Sequence, residues 1–493
     1  MGHAGRDARL DAAFVLLLAA IWSIFVAFAT GGDQALFYDT FRDTAYAQNI
    51  LAGRLLTDPC INGQPFWYAP ANPIMFAGLA RVTGVSVATL YASSAYWLNL
   101  LNFILLYLLV RGIWGRAAAV VTMPMLLVGS YWWLMIAAAP MPSVQGVSLN
   151  LIGLMCWHRC RQHGRLWPIV TGLCLAASIW HHPLCGLMLA ATILVHVLLD
   201  AAWLHGATGR TSTTGRTRPG RHIRLRQMLL VAAVAGLLTA PLILHLAQLP
   251  KNNPAPFLYV PNEMLDLKFA LHAHAPLVVA FGIAGAILIV KRTPAAAWIV
   301  AYLIVAAIGQ IAGYLGHFLK LPVPYLLPHE FQYHGQLALA VCAAVGVVAL
   351  ARWSHARATH AGRLWLPFGR CIVFACLLTL APALRYLPQA RHYFISIDEK
   401  LAGNETWLNW IRDNTPIDAT IVCQPETAHF LVCGLAGRKT VALPSGHLNP
   451  AVDADQRTAD VETMLSNITD RKLPVQQTEE AWQAIWEEFK THR

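Results

Sequence analysis

The sequence predicts an α-helical polytopic membrane protein with a small soluble α/β domain at its C-terminal end. Three observations predict it. Hydrophobic residues make up 57% of the 493 positions and charged ones only 12%, about half the charged share of soluble proteins, and mean hydropathy is +0.49. The apolar residues fall into runs of bilayer-spanning length, about 20 residues each. Beyond Tyr386 the composition reverses: of the 25 acidic residues, fifteen lie after position 388.

The basic residues set the topology. Net charge is +11, but the arginines and lysines form no single patch interleaved with aromatics, so the charge points to no nucleic-acid partner. They recur instead at the ends of alternate apolar runs: Arg111 and Arg116, then Arg159, Arg161 and Arg165, then Arg210 to Arg226, then Lys291 and Arg292, then Arg352 to Arg370. By the positive-inside rule these are cytoplasmic turns. About eleven transmembrane helices follow, near residues 12–30, 91–111, 117–137, 144–159, 167–181, 183–203, 228–248, 274–290, 295–315, 335–351 and 371–388. The N-terminus is then cytoplasmic, and the C-terminal domain lies on the outer side of the cytoplasmic membrane. Residues 14–30 lack a strong small-residue cleavage site and further spans follow, so they read as a retained helix. A turn is expected at Trp180-His181-His182-Pro183, where proline interrupts the helical ladder. Residues 1–388 thus form the transmembrane domain and 389–493 an extracytoplasmic α/β domain.

Residues 31–90 are too long for a plain turn and form an outward loop. Residues 44–56 and 73–85 have helical patterns, Pro73 standing in a first turn as proline prefers. Both are expected along the membrane surface, with Trp67 and Tyr68 between them at interfacial depth. In the tail, residues 404–413 read as helix, 419–424 as a buried strand, 426–435 as a helix closed by Gly437, and 440–443 as a second strand. Strand, helix, strand in that order implies a parallel pair. No Gly-rich phosphate fingerprint accompanies it.

Carboxylates are scarce in the first 388 residues, and most fall in outward stretches: Asp33, Asp39, Asp43, Asp58, Glu263, Asp266 and Glu330. Four of these crowd into the 31–90 loop beside Arg42, Trp67 and Tyr68. A carboxylate positioned just outside a membrane is a candidate general base. Asp43 is the first choice, whereas Asp33, Asp58 and Asp266 read better as tolerated outer-side charges. The outward-side basic candidates are Arg42, Arg81, Lys268, His181, His182, His329 and His334, since positive groups act where negative charge develops. Glu330 and His334 are candidates for holding acceptor or phosphate. The stretch His329-Glu330-Phe331-Gln332-Tyr333-His334 spaces its histidines five apart, where a zinc-protease helix needs four. No metal and no cofactor is expected. Seven of the ten cysteines lie in or beside apolar helices as small hydrophobes. Cys60, Cys423 and Cys433 fall on the outer side, where an oxidising compartment would permit a Cys423–Cys433 disulfide.

The run Phe41-Arg42-Asp43-Thr44-Ala45-Tyr46-Ala47-Gln48-Asn49-Ile50-Leu51-Ala52-Gly53, followed by Asp58-Pro59, Trp67-Tyr68-Ala69-Pro70 and Asn72-Pro73, resembles the first outward loop of the GT-C glycosyltransferases. That superfamily includes the protein O-mannosyltransferases and the lipid A aminoarabinose transferase. The resemblance implies a GT-C-like bundle and transfer of a sugar from a polyprenyl-phosphate donor to a glycan, lipid or protein acceptor. It puts the base position on Asp43, with Asp39 the second choice, and Tyr46 on the helix at the transfer site. Asp43-Thr44 stands where those enzymes often carry Asp-Glu. The second outward stretch, Met141-Pro142-Ser143-Val144, lacks the acidic pair of metal-dependent oligosaccharyltransferases, which implies a metal-independent, inverting displacement. The rival reading is a transporter or flippase for a lipid-linked or anionic solute. It calls for inverted repeats or Gly/Pro-broken spans, and the sequence shows no such symmetry.

Overall fold

A computed structural model of the chain describes residues 3–30, 38–127, 136–160, 166–206, 221–250, 252, 274–319, 328–360, 388, 391–392, 404–423, 431–443 and 448–470. Helices dominate them: α1 (His3–Thr30), α2 (Tyr38–Leu51), α3 (Ala71–Thr83), α4 (Val87–Trp114), α5 (Arg116–Leu127), α6 (Val147–Arg159), α7 (Leu166–His181), α8 (Pro183–Gly206), α9 (Arg221–Gln248), α10 (Pro276–Arg292), α11 (Trp298–Phe318) and α12 (Pro328–His360).

Among the described residues, six helices are long and apolar enough to cross a membrane: Asp7–Thr30, Val87–Trp114, Pro183–Ala201, Arg224–Gln248, Trp298–Gly316 and Pro328–Ala356. The expected number was about eleven. Of the other five expected spans, Arg116–Leu126 and Leu166–His181 are apolar but shorter, while α6 and α10 have 13 and 17 residues. The span expected at 371–388 lies outside the described residues except for position 388, as does the stretch 128–135 inside the span expected at 117–137. The turn before Pro183 is present, α7 ending at His181 and α8 starting at Pro183.

At one end of the bundle α1 is tied to the α4–α5 turn. Asp11 accepts from Arg116 Nε at 2.9 Å and from the Tyr107 hydroxyl at 2.8 Å, and it pairs with Arg111. Two of the arginines that mark a cytoplasmic turn in the sequence therefore lie on the same side as the N-terminal helix start. Deeper in, buried amides serve irregular backbone, which must be satisfied internally at membrane depth. Asn99 Nδ2 donates to the carbonyls of Ala137 and Ala139 at 2.8 and 2.9 Å, and Asn102 Nδ2 to Val144 at 2.7 Å. The α10–α12 crossing is closed by glycines: a Cβ on Gly285 would sit 1.7 Å from the Cys342 carbonyl oxygen, and one on Gly346 2.5 Å from that of Phe281. Small residues let helix backbones approach this closely.

At the other end, α2 and α3 pack together over the start of α4. The two helices expected at 44–56 and 73–85 are thus both found, each beginning earlier. The C-terminal segment sits directly on them. Phe41, Ala45, Phe76 and Tyr91 share one buried apolar cluster with Leu408, Val432, Leu443 and Leu448. Two short strands, β1 (Thr420–Ile421) and β2 (Lys439–Thr440), pair in parallel, as expected, but each is shorter than its sequence pattern. The reason is a shared edge: the Thr440 N–H donates to the Cys60 carbonyl of the loop at 2.8 Å. Of the helix expected at 426–435, residues 424–430 lie outside the described set. Its end is a π-helical turn, Val432–Ala436, closed by Gly437 at φ 65°, a left-handed cap that glycine adopts without strain. The last described element is α13 (Ala454–Asp470).

Candidate active site

Asp43 lies on the second turn of α2 and its side chain is fully buried. Beside it Arg42, 8% exposed, donates from Nε to Asp43 Oδ1 at 3.3 Å. The same guanidinium lies over the Tyr68 ring, its Cζ 3.9 Å from the centroid. A delocalised, weakly hydrated guanidinium suits such stacking. Tyr68 in turn meets the His182 ring edge-on with centroids 6.3 Å apart, and His182 Nε2 is 3.8 Å from Glu330 Oε1. Four separated stretches of chain, α2, the loop after it, the α7–α8 turn and the first turn of α12, thus converge on one row of groups. The row has a carboxylate at each end, Asp43 and Glu330, with the Arg42 guanidinium between them.

Aromatic side chains wall it. Tyr46 faces Tyr68 at 6.3 Å and Trp67 meets it edge-on at 6.0 Å. Tyr46 packs in a small cluster with Phe66 and Leu242, and burial holds its phenol well above its ordinary pKa. Behind α2 lies an amide network. Tyr91 donates to Asn72 Oδ1 at 2.7 Å, Asn72 Nδ2 donates to Gln145 Oε1 at 2.6 Å, and Gln145 Nε2 donates to Ser94 Oγ at 2.9 Å. Asn72 Nδ2 also lies 3.3 Å from His181 Nε2. An amide N–H only donates, so this contact makes Nε2 the acceptor and leaves the ring proton on Nδ1.

Of the residues singled out in the sequence, Asp43, Arg42, Tyr46, Trp67, Tyr68, His182 and Glu330 come together, and His181 joins through Asn72. Others do not join. Arg81 is exposed in the last turn of α3. His334 is buried within the bundle, where its Nδ1 meets the Tyr302 hydroxyl at 2.6 Å, so it does not pair with Glu330. His329 is buried in the first turn of α12. Asp39 belongs to the first turn of α2 with its side chain outside the described set, and Lys268 lies outside the described residues. Among the described residues no cluster of three or more His, Cys, Asp or Glu side chains is arranged to hold a metal. The partners that sequence reasoning passed over are Asn72, Gln145, Tyr91 and Ser94. Their signal was available: uncharged amides inside apolar runs need partners when buried.

Asp58 has a different role. Its Oδ1 accepts the N–H groups of Cys60 and Ile61 at 2.7 and 2.9 Å, and its Oδ2 accepts from Asn449 Nδ2 at 2.9 Å. It clamps the C-terminal segment to the loop from a buried position, where the sequence reading had only a tolerated outer-side charge. Cys423 and Cys433 carry free thiols, so the disulfide is not formed. Cys433 instead hydrogen-bonds the thiol of Cys60, whose pKa burial raises.

No family model and no curated protein matches the sequence. Solved structures do match the fold. The oligosaccharyltransferase of Archaeoglobus fulgidus in its apo form aligns over 92% of this chain and 68% of its own, at 13% identity and TM-score 0.55. ArnT from Cupriavidus metallidurans in the apo state aligns over 90% of this chain and 89% of its own, at 14% identity and TM-score 0.56. ArnT bound to undecaprenyl phosphate gives TM-score 0.55 at 14% identity over the same shares. The fold is shared with these two membrane enzymes. This chain covers nearly the whole of ArnT but only about two thirds of the archaeal enzyme.

Proposed function

We propose that this protein is a glycosyltransferase that moves a sugar from a polyprenyl-phosphate donor to an acceptor on the outer side of the cytoplasmic membrane. The observation that carries the reading is the Asp43–Arg42–Tyr68–His182–Glu330 row, its first two members buried and the rest partly buried, set at one end of a bundle with a GT-C-like fold. A lipid-phosphate leaving group stays at the membrane surface while the sugar carbon is attacked. The enzyme then needs a carboxylate to take the acceptor hydroxyl's proton and cations to meet the departing phosphate. Asp43 is the base, and a direct displacement on its side inverts the anomeric carbon. Arg42 and His182 hold the phosphate, while Glu330 orients His182. The Tyr46, Trp67 and Tyr68 faces receive the sugar ring. The reaction needs no metal, because arginine and histidine supply the positive charge. That solved structures of this fold were determined with undecaprenyl phosphate, for ArnT, and with dolichol-phosphate, for the archaeal AglB, supports a lipid-phosphate donor here.

The test is purified wild type against Asp43→Asn, each incubated with radiolabelled polyprenyl-phosphate sugars and membrane extract. Transfer by wild type that drops by about 10²–10⁴-fold in a folded Asp43→Asn protein supports the assignment. Equal transfer by both moves the base to Asp39 or Glu330. Absence of transfer with every donor favours the transporter.

A further inference from the structure

The opposite end of the bundle holds a second feature that sugar transfer leaves unused. A cavity of about 640 Å³ lies between α10 and α12, reaching α4 and α5 at its side. Its volume falls within the range of about 300–1,000 Å³ usual for ligand pockets. It adjoins the crossing where Gly285 and Gly346 bring the two backbones together. Phe281, Leu288 and Val345 form its apolar wall, and Trp114, Trp353, Arg292 and Arg352 line it as well.

Charge decides what suits it. Over residues 274–360 the chain has one carboxylate, Glu330. It stands 22 positions up the same helix from Arg352, about 33 Å away at 1.5 Å per residue, roughly the thickness of a bilayer core. The carboxylates that lie toward this end among the described residues, Asp7, Asp11 and Asp200, are engaged by Arg111, Arg116 and Arg224. Arg292 and Arg352 are exposed, and neither has an acidic partner among the described residues. Two arginines beside an apolar groove, with tryptophans at the interfacial depth that the indole ring favours, match one kind of molecule. It has an anionic phosphate head and a hydrocarbon chain.

We propose that this groove binds an anionic glycerophospholipid, its phosphate between Arg292 and Arg352 and one acyl chain along α10 and α12. Guanidinium forks recognise phosphate in two-point contacts, and the hydrocarbon walls take the chain. A free phosphate would leave those walls empty. A zwitterionic lipid would bring its own cation against the arginines. The site is separate from the Asp43 row and does not depend on the proposed transfer reaction.

The experiment is native mass spectrometry and thermal melting of the full-length protein in detergent. The probes are phosphatidylglycerol, phosphatidylcholine and inorganic phosphate. Wild type is expected to retain and be stabilised by phosphatidylglycerol only. The double variant Arg292→Ala/Arg352→Ala is expected to bind it about 30-fold more weakly, two cations contributing about fivefold each. Ala349→Trp, which fills the groove and keeps both arginines, is expected to lose the lipid as well. It decides the matter should the double variant fail to fold. Equal binding of phosphatidylcholine, a shift with inorganic phosphate alone, or undiminished phosphatidylglycerol binding by either variant would overturn the proposal.

Discussion

Two buried aspartates in one loop show how surroundings divide their roles. Asp58 accepts three donors and joins Lys439 electrostatically, whereas Asp43 accepts from the neighbouring Arg42, whose guanidinium is stacked on Tyr68. Burial raises the Asp58 pKa, opposed by the donors of Ile61, Asn449 and Cys60 and by Lys439. A carboxyl whose folded pKa is raised holds its proton more tightly in the folded chain. Its contribution to stability is therefore full below its unfolded pKa, about 4, and is lost as pH rises through the folded value. Wild type should lose melting temperature relative to Asp58→Asn as pH climbs from that region toward neutrality, and a pH series of melting curves on both proteins checks it. Asp58→Ala orphans buried N–H donors at about 1–3 kcal/mol each and should loosen the C-terminal segment to limited proteolysis. At the row itself, Arg42→Lys keeps the charge but loses the planar face on Tyr68. If the proposed chemistry holds, kcat/KM for sugar transfer should fall about fivefold, the equivalent of about 1 kcal/mol of cation–π contact. Steady-state kinetics on the two proteins measures that.

The α2 helix works because of what leans on it. A Cβ on Gly434 would lie 2.5 Å from the Phe41 carbonyl oxygen and 2.8 Å from Phe41 Cα. These are backbone atoms that cannot rotate away. Gly434→Ala should therefore push the π-helical turn off α2, breaking the Gln48 Nε2 bond to the Gly434 carbonyl. Overpacking of this kind costs about 1–3 kcal/mol, readable as a drop in melting temperature. Because Asp43 is two residues from Phe41, the drop should be accompanied by weaker sugar transfer. The elements were legible where local chemistry is sharp: Pro183 after two histidines and Gly437 at a left-handed cap. They were less legible where partners come from afar. No strand pattern indicates that Thr440 gives its N–H to Cys60, so β2 reads longer than it is.

For the molecule as a whole, the C-terminal segment is a lid with a shared core rather than an appended module. Phe41 and Phe76 lose apolar partners if Leu408, Val432, Leu443 and Leu448 are removed. A chain ended after residue 400 should consequently aggregate or lose transfer, which size-exclusion chromatography and the radiolabel assay resolve. Under the proposed mechanism, EDTA should leave transfer unchanged, since no step uses a metal. The membrane class and the place of the carboxylate-bearing loop were determined by the sequence alone, because hydropathy and charge act locally and leave their pattern in consecutive residues. The turn at Pro183 belongs with them. Tertiary structure alone decided that His182 and Glu330, 148 positions apart in the numbering, meet across Tyr68 while His334 turns inward to Tyr302. It also decided that Asp58 is a clamp. The physical reason is that a side chain's partner depends on which helices the core forces together. Spacing along one strand of sequence carries no record of that packing.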